Sequence, residues 1–144
     1  TARFKQLLDR EENQGLYTEA FYSGFQSKIS EVKRQFLSFL LEVAARYEKV
    51  AAYGAAAKGN TLLNFSGVRP DLLPYVVDRN PSKQGRYLPG SRIPILSEDH
   101  LKKDQPQWII ILPWNLREEI STQLAYARDW GAQFVTAVPS LAIF

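Results

Sequence analysis

The chain has 144 residues, 45% of them hydrophobic and 23% charged, enough for the core of one domain with a helical arm. Its 18 basic and 15 acidic residues leave a charge of +3, scattered rather than gathered on one face, so nucleic acid is not an expected partner. The absence of cysteine excludes disulfides, thiolate metal sites and cysteine nucleophiles, and the lack of any long apolar run or signal peptide points to a cytoplasmic protein without membrane contact.

The chain begins at Thr1 and contains no methionine, so it reads as a piece excised from something longer. Residues 1–24 form a polar N-terminal arm, where Phe4, Leu7 and Leu8 suggest a short helical turn broken by Glu11, Glu12, Asn13, Gln14 and Gly15. The main domain is expected over 25–144 and opens with one long packing helix, 25–47, capped by Ser23. Its apolar residues, Phe25, Ile29, Val32, Phe36, Phe39, Leu40, Val43 and Tyr47, fall at the three-and-four spacing of one helix face. A strand over Lys49–Tyr53 then meets a glycine turn and a helix running to Ser66, with Gly67 as its stop. The next apolar run, Leu72–Val77, ends in Asp78 and is followed by a polar loop, 79–92. A short extended piece, Ile93–Ile95, precedes a brief helix capped by Ser97. His100 lies in that helix among polar neighbours and reads as solvated rather than catalytic or metal-bound. Trp108–Leu112 is apolar throughout, as a strand covered on both faces should be. Asn115 and Glu118 resemble a capping box for a helix reaching Trp130, Gly131 stops it, and Gln133–Val138 is a last strand. This alternation predicts an α/β fold: a Rossmann-like, doubly wound, mostly parallel sheet of four to five strands with flanking helices and an N-terminal helical arm.

Sheets of that kind bind ligands at the carboxyl ends of their strands. Three loops should meet there. In the first, Gly54, Ala56 and Gly59 fill the small positions of a G-x-G/A-x-x-G turn, and Asp78 follows Gly54 by 24 residues. Gly54, Ala55 and Gly59 would let a ligand approach backbone N–H groups at the helix start. Lys58 there opposes the helix dipole, a conflict that either an anion or simple solvation relieves. Asn60 is a candidate polar contact, and Asn64 a weaker one. Asp78 either accepts from a ribose hydroxyl or caps the turn at Asn80-Pro81. Lys83, Gln84, Arg86 and Tyr87 crowd a long loop of the sort that often carries function. Trp114 and Asn115 could offer an indole to a planar ring and an amide to its edge, with Trp114 equally suited to packing. No catalytic group and no metal-ligand set is discernible.

Three strings, Tyr53–Asn64, Val77–Gly90 and Ile111–Leu116, resemble the C-terminal domain of the S-adenosylmethionine-dependent C-methyltransferases, which include enzymes methylating ring carbons of nucleotide-linked deoxysugars. The likeness runs from about Gly15 to Val138 and departs from the pattern at Ala56 or Ala57, where a proline is expected. It implies a larger enzyme with a cysteine-rich zinc-binding domain, a central domain that binds S-adenosylmethionine, and this module. The methyl donor would then bind outside this chain. The module would close over the active site and help hold a nucleotide-sugar-like small molecule, with Lys58, Asn60, Asp78 and Arg86 facing it, and would be inactive alone. A free-standing NAD(P)- or nucleotide-binding module, and a scaffold whose glycine loop is a relic, remain as competing readings.

Overall fold

The computed structural model describes residues 1–144, which divide into two compact units, Thr1–Glu31 and Val32–Phe144. In the first unit α1 spans Ala2–Asn13 and α2 spans Glu19–Ser23, and α3, Phe25–Ala45, begins there and crosses the division. α1 runs three residues beyond the break expected at Glu11, because glutamate is a good helix former whatever its charge. The true stop is Gly15, at φ +74°. Ser23 does not cap α3. It is the last residue of α2, its hydroxyl donating to the Ala20 carbonyl at 2.9 Å, while the Thr18 side chain caps α2.

In the second unit the remaining elements are β1 (Val50–Tyr53), α4 (Ala57–Ser66), β2 (Val76–Val77), β3 (Ile95–Leu96), α5 (Glu98–Asp104), β4 (Trp108–Ile111), α6 (Arg117–Gln123), β5 (Gln133–Thr136) and β6 (Ala142–Ile143). They make a six-stranded sheet of order β3-β2-β1-β4-β5-β6 in which every pairing is parallel except β5 with β6. In register, Ala52 lies between Val76 and Ile110. β2 is shorter than the apolar run suggested, since Pro74 removes a ladder donor just before it.

Alternate residues of the strands build a core on each side. Val50, Ala52, Val76, Ile110 and Val135 pack against Phe36, Leu40 and Val43 of α3 and Leu62 and Leu63 of α4. Ala51, Tyr53, Val77, Ile109, Ile111 and Phe134 pack against Leu101 of α5, Ile120 of α6 and Ala127. The result is helix, sheet, helix. Each large aliphatic or phenyl group buried here contributes about 1.5–3 kcal/mol of transfer free energy. Gly59 permits the tight approach of α4 to β4, because a Cβ there would lie 2.6 Å from Leu112 Cβ.

At the amino end of the sheet, Lys49 Nζ donates to Asp104 Oδ1 (2.8 Å) and the Tyr75 hydroxyl donates to Oδ2 (2.8 Å). Burial pushes the Asp104 carboxyl up, but the hydrogen bonds from Lys49 and Tyr75 outweigh it and hold the group below its ordinary value. A depressed folded value means the unfolded chain binds this proton more readily. The network therefore stabilises above the unfolded value of about 3.9, and its contribution is lost as the pH falls through the lower folded value. Lys49 is half exposed, so the effect stays below about 1 kcal/mol. Thermal melts between about pH 5 and pH 2 should show a shallower loss of stability for Asp104→Asn than for the wild type. Equal slopes would mean that the network carries no proton linkage.

Candidate functional site

The carboxyl ends of β1, β2 and β4 bring the three loops together on one edge of the sheet. β1 turns through Gly54 at φ +92°, a left-handed conformation that favours glycine, and the lack of a side chain there also spares a clash with Pro113. α4 then starts without a side-chain cap, since Ala56 has no acceptor to offer. The first helical bond runs from Asn60 N–H to the Ala56 carbonyl, leaving the amides of Ala57, Lys58 and Gly59 without helical partners.

Asp78 ties two of the loops together. Its Oδ2 accepts from the Ala55 N–H (2.8 Å) and from Lys83 Nζ (3.0 Å), and its Oδ1 accepts from the Asn80 N–H (2.8 Å). Lys83 Nζ also donates to the Ala55 carbonyl (2.9 Å), and Gln84 Nε2 donates to the Asp78 carbonyl (2.9 Å). A carboxylate has about four acceptor sites, and three are taken here by protein donors. The turn-capping role for Asp78 is thus present in the fold, together with a bridge to the glycine loop. Asn80 continues the turn, its Oδ1 accepting from the Ser82 N–H and hydroxyl.

The glycine loop meets the loop after β4 through Lys58. Its Nζ donates to Asn115 Oδ1 at 3.2 Å and stands 5.8 Å from the centre of the Trp114 ring. Asn115 is therefore not half of a capping box. Residues Trp114–Leu116 form a 3-10 turn, α6 begins at Arg117, and Glu118 pairs with Arg117. Trp114 is partly buried against the α3–α4 core, and Lys58 and Asn115 are exposed. Asn60 accepts from the Asn64 amide, which also donates to the Pro89 carbonyl (2.9 Å) and so fastens the far end of the long loop to α4. Arg86 and Tyr87 are exposed, and their side chains make no polar contact with the protein. Their backbone is held, with the Ile95 N–H donating to the Arg86 carbonyl at 2.8 Å and Tyr87 bridging to Pro94.

On the other face of the same edge lies a second cluster that the sequence reading passed over. Arg79 Nε donates to Glu98 Oε2 (3.1 Å), the Tyr126 hydroxyl donates to Glu98 Oε1 (2.8 Å), and Gln123 bonds the Tyr53 hydroxyl. Burial pushes the hydroxyls of Tyr53 and Tyr126 above their ordinary values, for Tyr126 with help from the Glu98 carboxylate. Two signals could have found these residues. Arg79 directly follows the strand-end acid, and Tyr53 puts a hydroxyl at the end of an otherwise apolar strand. A separate groove of about 410 Å³, lined by Val43, Val50, Leu72, Tyr75 and His100, opens at the amino ends of β1 and β2, away from these loops.

The family model described as C-methyltransferase C-terminal domain matches residues 1–139. The chain belongs to that family. Among curated proteins, the C-methyltransferase NovU of Streptomyces niveus is 32% identical to it over 134 residues, covering 93% of this chain and 32% of NovU. The chain thus spans about a third of the length of that relative. Within this C-methyltransferase C-terminal domain, the glycine turn, Asp78 and the Lys58–Asn115 pair all fall inside the matched residues.

Proposed function

We propose that this domain holds the acceptor of an S-adenosylmethionine-dependent C-methyltransferase, a nucleotide-linked sugar or similar small molecule, and closes over the active site of a neighbouring methyltransferase domain. Membership of the family supplies the methyltransferase context. The strand order, with its reversal between β1 and β4, supports a Rossmann-like, doubly wound sheet with its crevice at that point.

The observation that carries the binding role is the Lys58–Asn115 contact across the β1–β4 crevice, above a helix start whose first amides are free. An anionic group seated there would meet backbone N–H groups, the positive end of the α4 dipole and an ammonium already poised by Asn115 and the Trp114 ring. A diphosphate fits that chemistry. Gly54, Ala55 and Gly59 keep the turn slim enough for its approach, Asn60 borders it, and Arg86 and Tyr87 supply an exposed cation and a ring for the rest of the ligand. Asp78, Asn80 and Lys83 act by setting the loop in place. The carboxylates at this edge, Asp78 and Glu98, are each held by a cation and further donors, an arrangement suited to binding rather than to proton abstraction. On this reading the chain alone transfers no methyl group.

The glycine turn does not suit S-adenosylmethionine. Its Ala55 amide is occupied by Asp78, and three of that carboxylate's roughly four acceptor sites are taken by protein donors, which leaves it poorly suited to hold both hydroxyls of a ribose in the manner of a dinucleotide site. The donor belongs to a domain outside this chain. The same bonds weigh against a free-standing NAD(P)-binding module.

Calorimetric titration tests the proposal. A thymidine diphosphate sugar should give heat, and Lys58→Ala should weaken its binding about tenfold, the effect of about 1.4 kcal/mol, with the melting temperature unchanged. S-adenosylmethionine and NAD(H) should give none. Heat from NAD(H) would instead favour the redox module, and silence from the nucleotide sugar would sink the binding role for this domain.

A further inference from the structure

Two backbone carbonyls settle which way a pair of asparagines on α4 points. Asn64 Nδ2 donates to the main-chain carbonyl of Asn60 (2.9 Å) and, across 25 residues, to that of Pro89 (2.9 Å). A carbonyl only accepts, so the end of Asn64 that faces both is its NH₂. The long loop closes over the other end of the same amide, where a Cβ on Gly90 would collide with Asn64 Oδ1. That NH₂ also lies 3.2 Å from the Asn60 side chain, whose nearest atom must then be the acceptor Oδ1. The Asn60 side-chain oxygen is thus spent on Asn64, and its own NH₂ is turned away with no protein partner. Helical side chains tilt towards the helix start, so this NH₂ stands on the side of the free amides of Ala57, Lys58 and Gly59. Lys58 and Asn60 are roughly 200° apart around the helix. They flank the start of α4, Lys58 towards the β4 loop and Asn60 towards the long loop.

We infer that Asn60 meets the ligand as a hydrogen-bond donor, and that Asn64 is the positioning residue that makes it one. The inference rests on the binding role proposed above and narrows its chemistry. On the flank between α4 and the long loop the site takes an oxygen that accepts, such as a phosphoryl oxygen, with the Lys58 ammonium on the opposite flank. An amine or other pure donor is turned away there, because donor would face donor.

Titration of the whole 144-residue chain and four variants with a thymidine diphosphate sugar tests it. Asn60→Asp keeps the oxygen that accepts from Asn64 and adds a negative charge near the positive end of α4, so its melting temperature should not fall. Its affinity should nevertheless drop at least about thirtyfold, because an anion then faces an anion. Asn60→Ala, which only removes the donor, should weaken binding about tenfold. Asn64→Leu should weaken it about threefold by freeing the Asn60 amide to turn. Added to Asn60→Ala, the same change should cost nothing more, since it acts only through that amide. Equal losses from Asn64→Leu in both backgrounds would mean a merely structural role and overturn its positioning of Asn60. Wild-type affinity in Asn60→Asp, with Lys58→Ala still weakened, would overturn the inference and leave the binding role standing. No heat from the wild type would overturn both.

Discussion

Alanine at position 54 is expected to lower the unfolding midpoint by about 10 °C, the equivalent of about 3 kcal/mol at roughly 3 °C per kcal/mol for a chain of this size. Two costs add. A non-glycine residue at the observed φ of +92° is strained by about 1–2 kcal/mol. Its Cβ would also lie 2.6 Å from both Cδ and Cγ of Pro113, a closed ring that cannot swing aside, and such overpacking costs about 1–3 kcal/mol. Gly85 provides the control, having φ +76° but open space around the added carbon. Its replacement by alanine should cost the backbone strain alone, about 1 kcal/mol. Calorimetric or dichroism melts of the two variants separate the terms. A drop at position 54 no larger than at position 85 would show that the β1 and β4 loops can move apart cheaply.

Asp78→Asn should prove nearly as harmful as Asp78→Ala, each costing about 2 kcal/mol and about 6 °C. The carboxylate is an acceptor on both oxygens, and every group pointing at it is a donor: the amides of Ala55 and Asn80 and the ammonium of Lys83. An asparagine keeps the shape but turns one oxygen into NH₂, so a donor meets donors whichever way the amide lies. Lys83→Met, which keeps the stem and loses the charge, should cost about half as much because Lys83 is partly solvated. Melting temperatures of the three variants decide it. If Asp78→Asn melts within about 1 °C of the wild type, the bridge is a weak contact and the loops are fixed by other means.

The sequence announced some parts of this edge and concealed others for identifiable reasons. β1, the glycine turn and α4 were legible because small residues, a positive-φ glycine and an apolar stripe all point to one local structure. β4 was legible from five apolar residues in a row. β6 was not, because Ala142-Ile143 is too short to display a period and exists through its pairing with β5. The helix expected from Asn115 to Trp130 breaks into a 3-10 turn, α6 and a second 3-10 segment at Ala125–Trp130. The capping box failed there because Asn115 spends its side-chain oxygen on Lys58, 57 residues away in sequence. Ser97 likewise stands at the start of α5 without a side-chain cap. At the site, sequence position alone marked Lys58, Asp78 and the long loop. It could not show that Asp78 and Lys83 satisfy each other, nor that Arg79, Glu98 and Tyr126 converge, since those contacts depend on how the strands are ordered.

The unequal strand lengths give the candidate edge one well-paired side and one sparsely paired side. β1 and β4 pair over four residues, whereas β2 and β3 contribute two each. Lys58 and Asn115 stand on the well-paired side, Arg86 and Tyr87 on the sparsely paired one. Few ladder bonds resist a tilt of the flank that carries the long loop, while Asp78 keeps its root from drifting away from the glycine turn. If the proposed binding role holds, a molecule touching both sides would draw the flank inward about that carboxylate, and closure would be local to this edge while the central strands stay still.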